Sequence, residues 1–249
     1  MSTYKPNDAN FLSFKPVFDY FSVWVYNITL LIARLTMQVK LISYTPNPEK
    51  HIEYCARICY DSNDKVSKTD TGKFLAGLLK SGHLSVFEHA SASFYIEGVS
   101  RALTHQLVRH RLASYSQRSQ RYVSETDFEY TIPPEIECNP DAKIEFERAV
   151  ESIKQSYQKL RELGAKKEDA RFLLPNAVHS TITMTANFRE WLAVLDLRVS
   201  KHAQWEICGM AVLIWKELYK IAPSVFDITA FEKSRDFEYK KQIFDTEIS

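Results

Sequence analysis

One segment of the chain concentrates side chains that bind anions. From Arg101 to Tyr122 the sequence reads RALTHQLVRHRLASYSQRSQRY, with five arginines interleaved with serines and glutamines and no acidic residue. Guanidinium groups offer planar pairs of N–H donors that match phosphate and carbonyl oxygens, and Ser and Gln add neutral hydrogen bonds. This composition favours a site for a polyanionic, hydrogen-bonding ligand such as a nucleotide. Arginines at a structural interface are the alternative interpretation.

The glycines argue against phosphate binding by the backbone. None of the six belongs to a Gly-x-Gly-x-x-Gly or P-loop pattern, which are the usual glycine-rich phosphate cradles. They stand at Gly72, Gly77, Gly82, Gly98, Gly164 and Gly209. Phosphate binding must then rest on side chains, and the arginine segment supplies them.

Charge and composition narrow the class of protein. The chain has 249 residues, 45% hydrophobic and 25% charged, which is typical of a globular protein. A rival interpretation is a nucleic-acid-binding module that uses Arg109–Arg121 as a phosphate-contact helix. Such domains usually carry a basic excess, and the net charge here is only +1. We therefore expect a local anion site and no nucleic-acid partner.

Hydrophobic periodicity indicates the elements that position this segment. Predicted strands cover Gln38–Tyr44, Ala92–Glu97 and Thr181–Thr185. The predicted helices run from Asn47-Pro48 to about Tyr60, over Thr69–Lys80 and Ser100–Arg111, from Asn139-Pro140 to Gly164, over Glu168–Leu174, from Asn187 onward, and over Ala203–Ile221. The last helix carries an apolar stripe expected in the core, and Asn187–Glu190 resembles a capping box. The fold class is therefore α+β, a single helix-rich domain with a small sheet.

The first 36 residues differ from the rest. Val17–Ala33 is apolar but interrupted by polar residues, and it is marginal for a membrane-spanning helix. We expect Met1–Thr36 to be a poorly packed extension and Met37–Ser249 to be the domain. A membrane anchor is the alternative, but we expect no membrane association and a cytoplasmic protein.

Several motifs together resemble one enzyme family. Arg109-His110-Arg111, seven further residues and then Ser119 match the signature of the flavin-dependent thymidylate synthases. The continuation Ser116–Tyr122 matches the form found in many members. Supporting blocks occur in the family's order: Gly82–His89, Ala170-Arg171, Leu174-Pro175, Asn187–Arg189, Leu197-Arg198 and His202–Ile207. The resemblance covers about Met37 to Ala222.

The resemblance implies a reaction and an assembly. Members of the family convert dUMP to dTMP with methylenetetrahydrofolate as carbon donor, reduced FAD as hydride donor and NADPH as reductant. The implied assembly is a homotetramer whose active sites are shared between subunits. An inactive, flavin-binding relative with a structural role is the alternative within this family.

The resemblance also implies roles for individual residues. Arg198 is the expected catalytic residue, because a permanently charged guanidinium stabilises the uracil ring when N3 loses its proton. The expected FAD contacts are Ser85 from a neighbouring subunit, Arg109, His110, Arg111, Gln117, Asn187 and Arg189. The expected dUMP contacts are Gln106, Leu107, Val108, Arg109, Gln117, Arg118, Ser119, Gln120, Arg121, Arg171 and Arg198, with Arg121 and Arg171 on the phosphate. Ala193 departs from the family, because some members carry a polar residue there near FAD.

Cysteine and histidine chemistry is not expected at this site. The four cysteines lie outside the arginine segment, mostly on apolar helix faces, so we expect core residues and no covalent nucleophile. They are Cys55, Cys59, Cys138 and Cys208. No metal site is expected, although His83 with His89 could suit one, and we interpret His202 and Glu206 as a structural hydrogen-bonded pair.

Overall fold

Four strands form one antiparallel sheet in the order β1-β2-β4-β3. They are β1 (Gln38–Tyr44), β2 (Ser91–Ser100), β3 (Ala113–Gln117) and β4 (His179–Asn187). The computed structural model describes residues 37–66, 68 and 70–249. The predicted extension Met1–Thr36 lies outside the described residues. The three predicted strands are confirmed, and β3 was not predicted.

Ten α-helices in the described residues make the fold helix-rich. They are α1 (Pro48–Ile58), α2 (Thr71–Lys80), α3 (Arg101–Leu107), α4 (Pro134–Glu137), α5 (Pro140–Glu162), α6 (Lys167–Ala170), α7 (Phe188–Arg198), α8 (Trp205–Ile221), α9 (Pro223–Phe226) and α10 (Phe237–Ile243). Shorter 3-10 turns cover Asn63–Lys65, Leu84–His89, Arg171–Leu173 and Ile228–Phe231, and a π turn covers Phe244–Ile248. The predicted α+β class is confirmed. No helix in the described part of the chain is long and apolar enough to span a membrane.

The main core lies between one face of the sheet and the helices packed on it. Side chains alternate along β4, so that Ile182, Met184 and Ala186 are buried while the threonines between them are partly exposed; this is the period of two that a one-sided sheet imposes. Trp191 of α7 donates its indole N–H to the carbonyl oxygen of Ala92 on β2 at 3.1 Å. This bond anchors α7 against the sheet.

The predicted apolar stripe of α8 is confirmed in the core. Ile207, Val212, Trp215 and Leu218 are buried, while Trp205 at the start of the helix is partly exposed. The hydrophobic periodicity of α5 predicts an inward face made of Ile144, Val150, Ile153, Tyr157 and Leu160. That prediction is wrong for Ile144, which is 66% exposed. Ile144 does not belong to the small second core of Phe128, Val150 and Val178, against which Phe146 and Ile153 of the same helix pack.

Two further predictions are wrong: that the cysteines are core residues, and that His202 and Glu206 form a hydrogen-bonded pair. Cys59 and Cys138 are exposed and Cys55 is partly exposed, leaving only Cys208 in the core. Cys59 and Cys138 are the C-terminal capping residues of α1 and α4, so they stand at helix ends rather than on apolar faces. The His202–Glu206 bond does not form, because the Glu206 carboxylate accepts the backbone N–H of Ser100 at 2.7 Å and its hydroxyl at 2.5 Å.

Candidate active site

The predicted helix Ser100–Arg111 ends early, and this places the arginine motif on a turn. Helix α3 ends at Leu107, and residues up to Leu112 form a tight turn into β3. The Tyr115 hydroxyl lies 2.8 Å from the carbonyl oxygens of both Leu107 and His110. Burial, and Glu190 as the second cause, raise the pKa of Tyr115 to about 12, with Arg198 opposing them, so the hydroxyl stays a donor. Tyr115 of the adjacent strand β3 therefore stabilises the turn.

Arg198 is held in place by two acceptors from this turn. It is the last residue of α7, and its Nε donates to Nε2 of His110 at 3.0 Å. Its Nη2 donates to the carbonyl oxygen of Gln106 at 3.2 Å. Partial burial lowers the pKa of Arg198, and Tyr115 opposes this shift; an arginine nevertheless keeps its charge in proteins. A fixed cation with further unused N–H donors therefore faces this turn.

His110 is a neutral, buried histidine. It is 8% exposed, and burial lowers its pKa to about 4, with the charge of Arg198 as the second cause. Because an arginine can only donate, Nε2 of His110 must accept, and the ring proton must sit on Nδ1. Nδ1 lies 3.6 Å from Oε1 of Glu190.

Gln117 is the last residue of β3, and the expected nucleotide contacts Arg118 to Arg121 come directly after it. Its side-chain amide donates to Thr104 Oγ1 at 2.9 Å and to Ser180 Oγ at 3.0 Å, which joins α3, β3 and β4. Ser119 Oγ accepts the backbone N–H of Arg121 at 3.3 Å. Gln120 is buried and Ser119 is partly exposed. Leu107 is buried, whereas Val108 is 39% exposed on the turn.

Arg121 and Arg171, the pair expected on the phosphate, meet at one residue. Nε of Arg121 lies 3.2 Å from Oε2 of Glu168, and Nε of Arg171 donates to the Glu168 carbonyl oxygen at 3.1 Å. A cleft of about 400 Å³ adjoins this contact. It is lined by Arg121, Tyr122, Arg161, Lys166, Lys167 and Glu168. The local excess of positive charge suits an anionic group.

Arg118 is engaged elsewhere. Its Nη2 lies 3.1 Å from Oε2 of Glu125, whose side chain is 2% exposed. Burial raises the pKa of Glu125, and Arg118 lowers it as the second cause. The structure therefore places the Arg118 side chain in an ion pair with a buried carboxylate, with the backbone of this residue bonded to Thr181.

The residues expected to contact FAD come from three segments. Arg109 and Arg111 are exposed on the turn, and within the described residues neither makes an ion pair. Asn187 caps α7 by accepting the Glu190 backbone N–H at 2.9 Å, which confirms the predicted cap. Two free guanidinium groups can neutralise a pyrophosphate, so the side chains present fit a dinucleotide such as FAD.

The block containing Ser85 lies beside α7. Arg189 Nη1 lies 2.5 Å from Oε1 of Glu88, and Ser85 is exposed on the same 3-10 turn. Ala193 is exposed on α7. Among the described residues, no group of three or more His, Cys, Asp or Glu is arranged to hold a metal ion, and His83 and His89 are exposed at the two ends of this turn.

Sequence reasoning assigned no role to Glu190. In the sequence it stands only in the predicted capping box, whereas in the structure its carboxylate lies 3.6 Å from His110, a residue far away in the sequence. An acidic residue at the third position of a helix is common for local reasons. No sequence signal separates the two uses.

The fold and the site define a helix-rich α+β protein with an arginine-lined turn suited to an anionic ligand, and comparison with known families identifies it as an enzyme. Residues 40–224 match the family model described as "Thymidylate synthase complementing protein". The chain belongs to this family and is similar to relatives named flavin-dependent thymidylate synthases, which are enzymes of the methyltransferase class.

Three of these relatives illustrate the similarity. The flavin-dependent thymidylate synthase of Geobacter sulfurreducens is 41% identical over 198 residues, covering 76% of this chain and 85% of the relative. That of Clostridium tetani is 41% identical over 212 residues with the same coverage. That of Nitratidesulfovibrio vulgaris is 39% identical over 212 residues, covering 78% and 86%. The resemblance found in the sequence is confirmed.

Proposed function

We propose that this enzyme methylates dUMP to dTMP, with methylenetetrahydrofolate as carbon donor, reduced FAD as hydride donor and NADPH as reductant. The observation that carries the proposal is the guanidinium of Arg198, fixed by His110 and Gln106 beside the arginine-lined turn. The names of the relatives support the reaction class.

Arg198 acts on the pyrimidine. Two of its N–H groups are engaged by His110 and Gln106, and the other donors of the guanidinium are available to a uracil carbonyl oxygen. When N3 loses its proton, the negative charge spreads onto that oxygen, and a fixed cation stabilises it without reorganisation. The ring carbon then becomes more nucleophilic towards the methylene donor. Arg198 is not a base, so the N3 proton passes to solvent and not to this residue.

The nucleotide lies along the turn and β3. Arg121 and Arg171 bind its phosphate, replacing the contact of Arg121 with the Glu168 carboxylate. The remaining dUMP contacts are Gln106, Leu107, Val108, Arg109, Gln117, Arg118, Ser119 and Gln120. Buried Leu107 contributes through its backbone, and Arg118 does the same while its side chain stays with Glu125.

The FAD site uses the free cations next to the pyrimidine site. Arg109 and Arg111 neutralise the pyrophosphate, aided by Asn187 and Arg189, and His110 and Gln117 form the boundary with dUMP. Ser85 reaches FAD from a neighbouring subunit. When bound, FAD supplies the hydride that turns the transferred methylene into a methyl group.

We propose a cytoplasmic homotetramer built from the domain Met37–Ser249, with Met1–Thr36 as an extension. Apolar side chains exposed around the site support burial against another subunit: Leu112 is 76% exposed, Leu197 58% and Val108 39%. The four free thiols support a reducing compartment.

The test is dTMP formation by the purified full-length protein supplied with dUMP, FAD, NADPH and methylenetetrahydrofolate. We expect product that depends on flavin and on each co-substrate. Folded protein with a flavin spectrum and no product would point to the inactive relative. Folded protein that binds neither flavin nor dUMP would reject the proposal.

A further inference from the structure

The carboxylate of Glu190 does not take the capping position that is usual for an acidic residue in the first turn of a helix. Glu190 is the third residue of α7, and Asn187 Oδ1 accepts its backbone N–H at 2.9 Å. In a complete capping box the acidic side chain turns back to the N–H of the capping residue. Here Oε1 instead lies 3.6 Å from Nδ1 of His110, and the side chain is only 10% exposed. A buried carboxylate is costly without a partner, so its position indicates a purpose at His110.

His110 connects this carboxylate to Arg198. Its Nε2 accepts the Nε–H of Arg198 at 3.0 Å, which is possible only when the ring proton is on Nδ1, facing Glu190. Burial and the charge of Arg198 both lower the pKa of His110, to about 4, and keep the ring neutral near pH 7. A carboxylate next to Nδ1 favours this tautomer over the alternative, as carboxylates behind metal-binding histidines do.

The third member of the arrangement is Arg198, whose guanidinium group is planar. Arg198 also donates from Nη2 to the Gln106 carbonyl oxygen at 3.2 Å. Two acceptors on different nitrogens of one planar group fix its rotation as well as its position. A free arginine side chain has many rotamers, and a group already fixed does not lose that rotamer entropy when substrate binds.

We propose that Glu190 and His110 are positioning residues for Arg198, with Glu190 selecting the histidine tautomer that holds the guanidinium in the plane of the uracil. This inference rests on the proposed function, because it requires Arg198 to act on the pyrimidine. It gives His110 a role in addition to the FAD contact, and it gives Glu190 a role in the reaction.

Two pairs of matched variants test the arrangement in the full-length enzyme loaded with FAD. His110→Gln places an amide oxygen near the position of Nε2, whereas His110→Asn, equally polar and neutral, is too short to reach Arg198. Glu190→Gln keeps an oxygen beside Nδ1, whereas Glu190→Leu places no polar atom there. We expect kcat to fall on the order of 100-fold in His110→Asn and Glu190→Leu. His110→Gln and Glu190→Gln should stay within about tenfold of the wild type, with KM for dUMP little changed.

A binding measurement separates positioning from a general structural effect. Fluorine makes N3 of 5-fluoro-dUMP more acidic than that of dUMP, so the analogue binds more readily as the ring anion. Dissociation constants for both nucleotides are measured at pH 8 from the flavin absorbance change. We expect the wild type to prefer the analogue, and Arg198→Ala, His110→Asn and Glu190→Leu to lose that preference by a similar factor. A merely structural defect would weaken both nucleotides equally and leave their ratio intact.

The outcomes separate this inference from the proposed function. If the wild type makes dTMP but His110→Asn and Glu190→Leu keep its kcat and its preference for the analogue, the positioning role is wrong and the proposed function stands. Should Glu190→Leu fail to fold, the His110 pair still decides, because equal activity of His110→Gln and His110→Asn would contradict the role of Nε2. A wild type that neither binds dUMP nor forms dTMP rejects the proposed function itself.

Discussion

Nε of Arg121 lies 3.2 Å from the carboxylate of Glu168. One of the two arginines assigned to the substrate phosphate is therefore already paired with an anionic side chain. The second arginine, Arg171, contacts the backbone of the same glutamate. A phosphate that binds both guanidinium groups must therefore compete with a side chain of the protein itself.

Removal of the competing charge should strengthen substrate binding. In Glu168→Gln we expect the dissociation constant for dUMP to fall about two- to fivefold at low salt, because a partly exposed ion pair is worth roughly 0.5–1 kcal/mol. Titration calorimetry measures this, with deoxyuridine as the control because it lacks the phosphate and should be unaffected. Weaker binding of dUMP would mean that Glu168 orients Arg121 instead of competing for it.

Loss of the Arg198 cation should stop the chemistry and spare the cofactor. In Arg198→Ala we expect the flavin to stay bound while kcat falls by about 10²–10³ or more, since removal of one preorganised donor has this size of effect. Arg198→Lys keeps a charge without the planar pair of donors and should recover only part of the rate. The assay is dTMP formation together with the flavin spectrum, and near-normal turnover by Arg198→Ala would exclude this residue from the mechanism.

The buried histidine should make stability depend on pH. Burial and Arg198 lower the pKa of His110 from 6.5 to about 4 in the folded protein, so unfolding takes up a proton between these values. The stabilisation is complete above about pH 6.5 and is lost as the pH falls towards 4. We expect the free energy of unfolding to drop by roughly 2 kcal/mol over this range, less than full burial would give because solvent screens the site in part.

Comparison of the wild type with His110→Gln separates the contribution of His110 to the pH dependence of stability from that of other titrating groups. Burial raises the pKa of Glu190 and of Glu206, and such carboxyls gain stability as the pH falls, opposite in sign to His110. Urea unfolding at pH 7 and pH 4.5 is therefore compared between the wild type and His110→Gln. The wild type should lose more stability than the variant, and an equal loss would show that His110 does not titrate in this way.

Catalysis should not need a cysteine. Cys208 is buried, and burial raises the pKa of its thiol, so little thiolate is present near neutral pH. We expect replacement of all four cysteines by alanine to leave kcat within about twofold, although the cavity at Cys208 should cost about 1–2 kcal/mol of stability. Steady-state assays and circular dichroism check both parts, and a folded but inactive variant would reopen covalent catalysis.

Local sequence signals predicted much of the fold. The first strand has the predicted bounds Gln38–Tyr44, and the Asn187 cap begins α7 as expected. Short-range patterns suffice in such places, because a strand alternates with period two and a cap involves residues three apart. The family signature also lies within one short segment, from Arg109 to Ser119.

Short-range sequence patterns do not predict the contacts within the site. The sequence does not predict strand β3, because its polar composition conceals an alternation in which Tyr115 and Gln117 are partly buried and the two serines of the strand are exposed. The arginine segment contains no acid, yet Glu125 and Glu168 neutralise Arg118 and Arg121 from outside it. Such pairings depend on how the chain folds back, and a single sequence does not encode them visibly.

Strand β4 runs directly into α7 with no intervening loop, so the helix acts as a spacer of set length. The cofactor-side residues Asn187 and Arg189 stand at its start, and Arg198 stands at its end, 11 helical residues after the cap. At about 1.5 Å per residue the helix spans roughly 16 Å. One inserted residue would turn Arg198 by about 100° and move it away from His110. Insertions and deletions acceptable in surface loops are therefore forbidden in this helix, and its length is a feature that redesign of the enzyme must preserve.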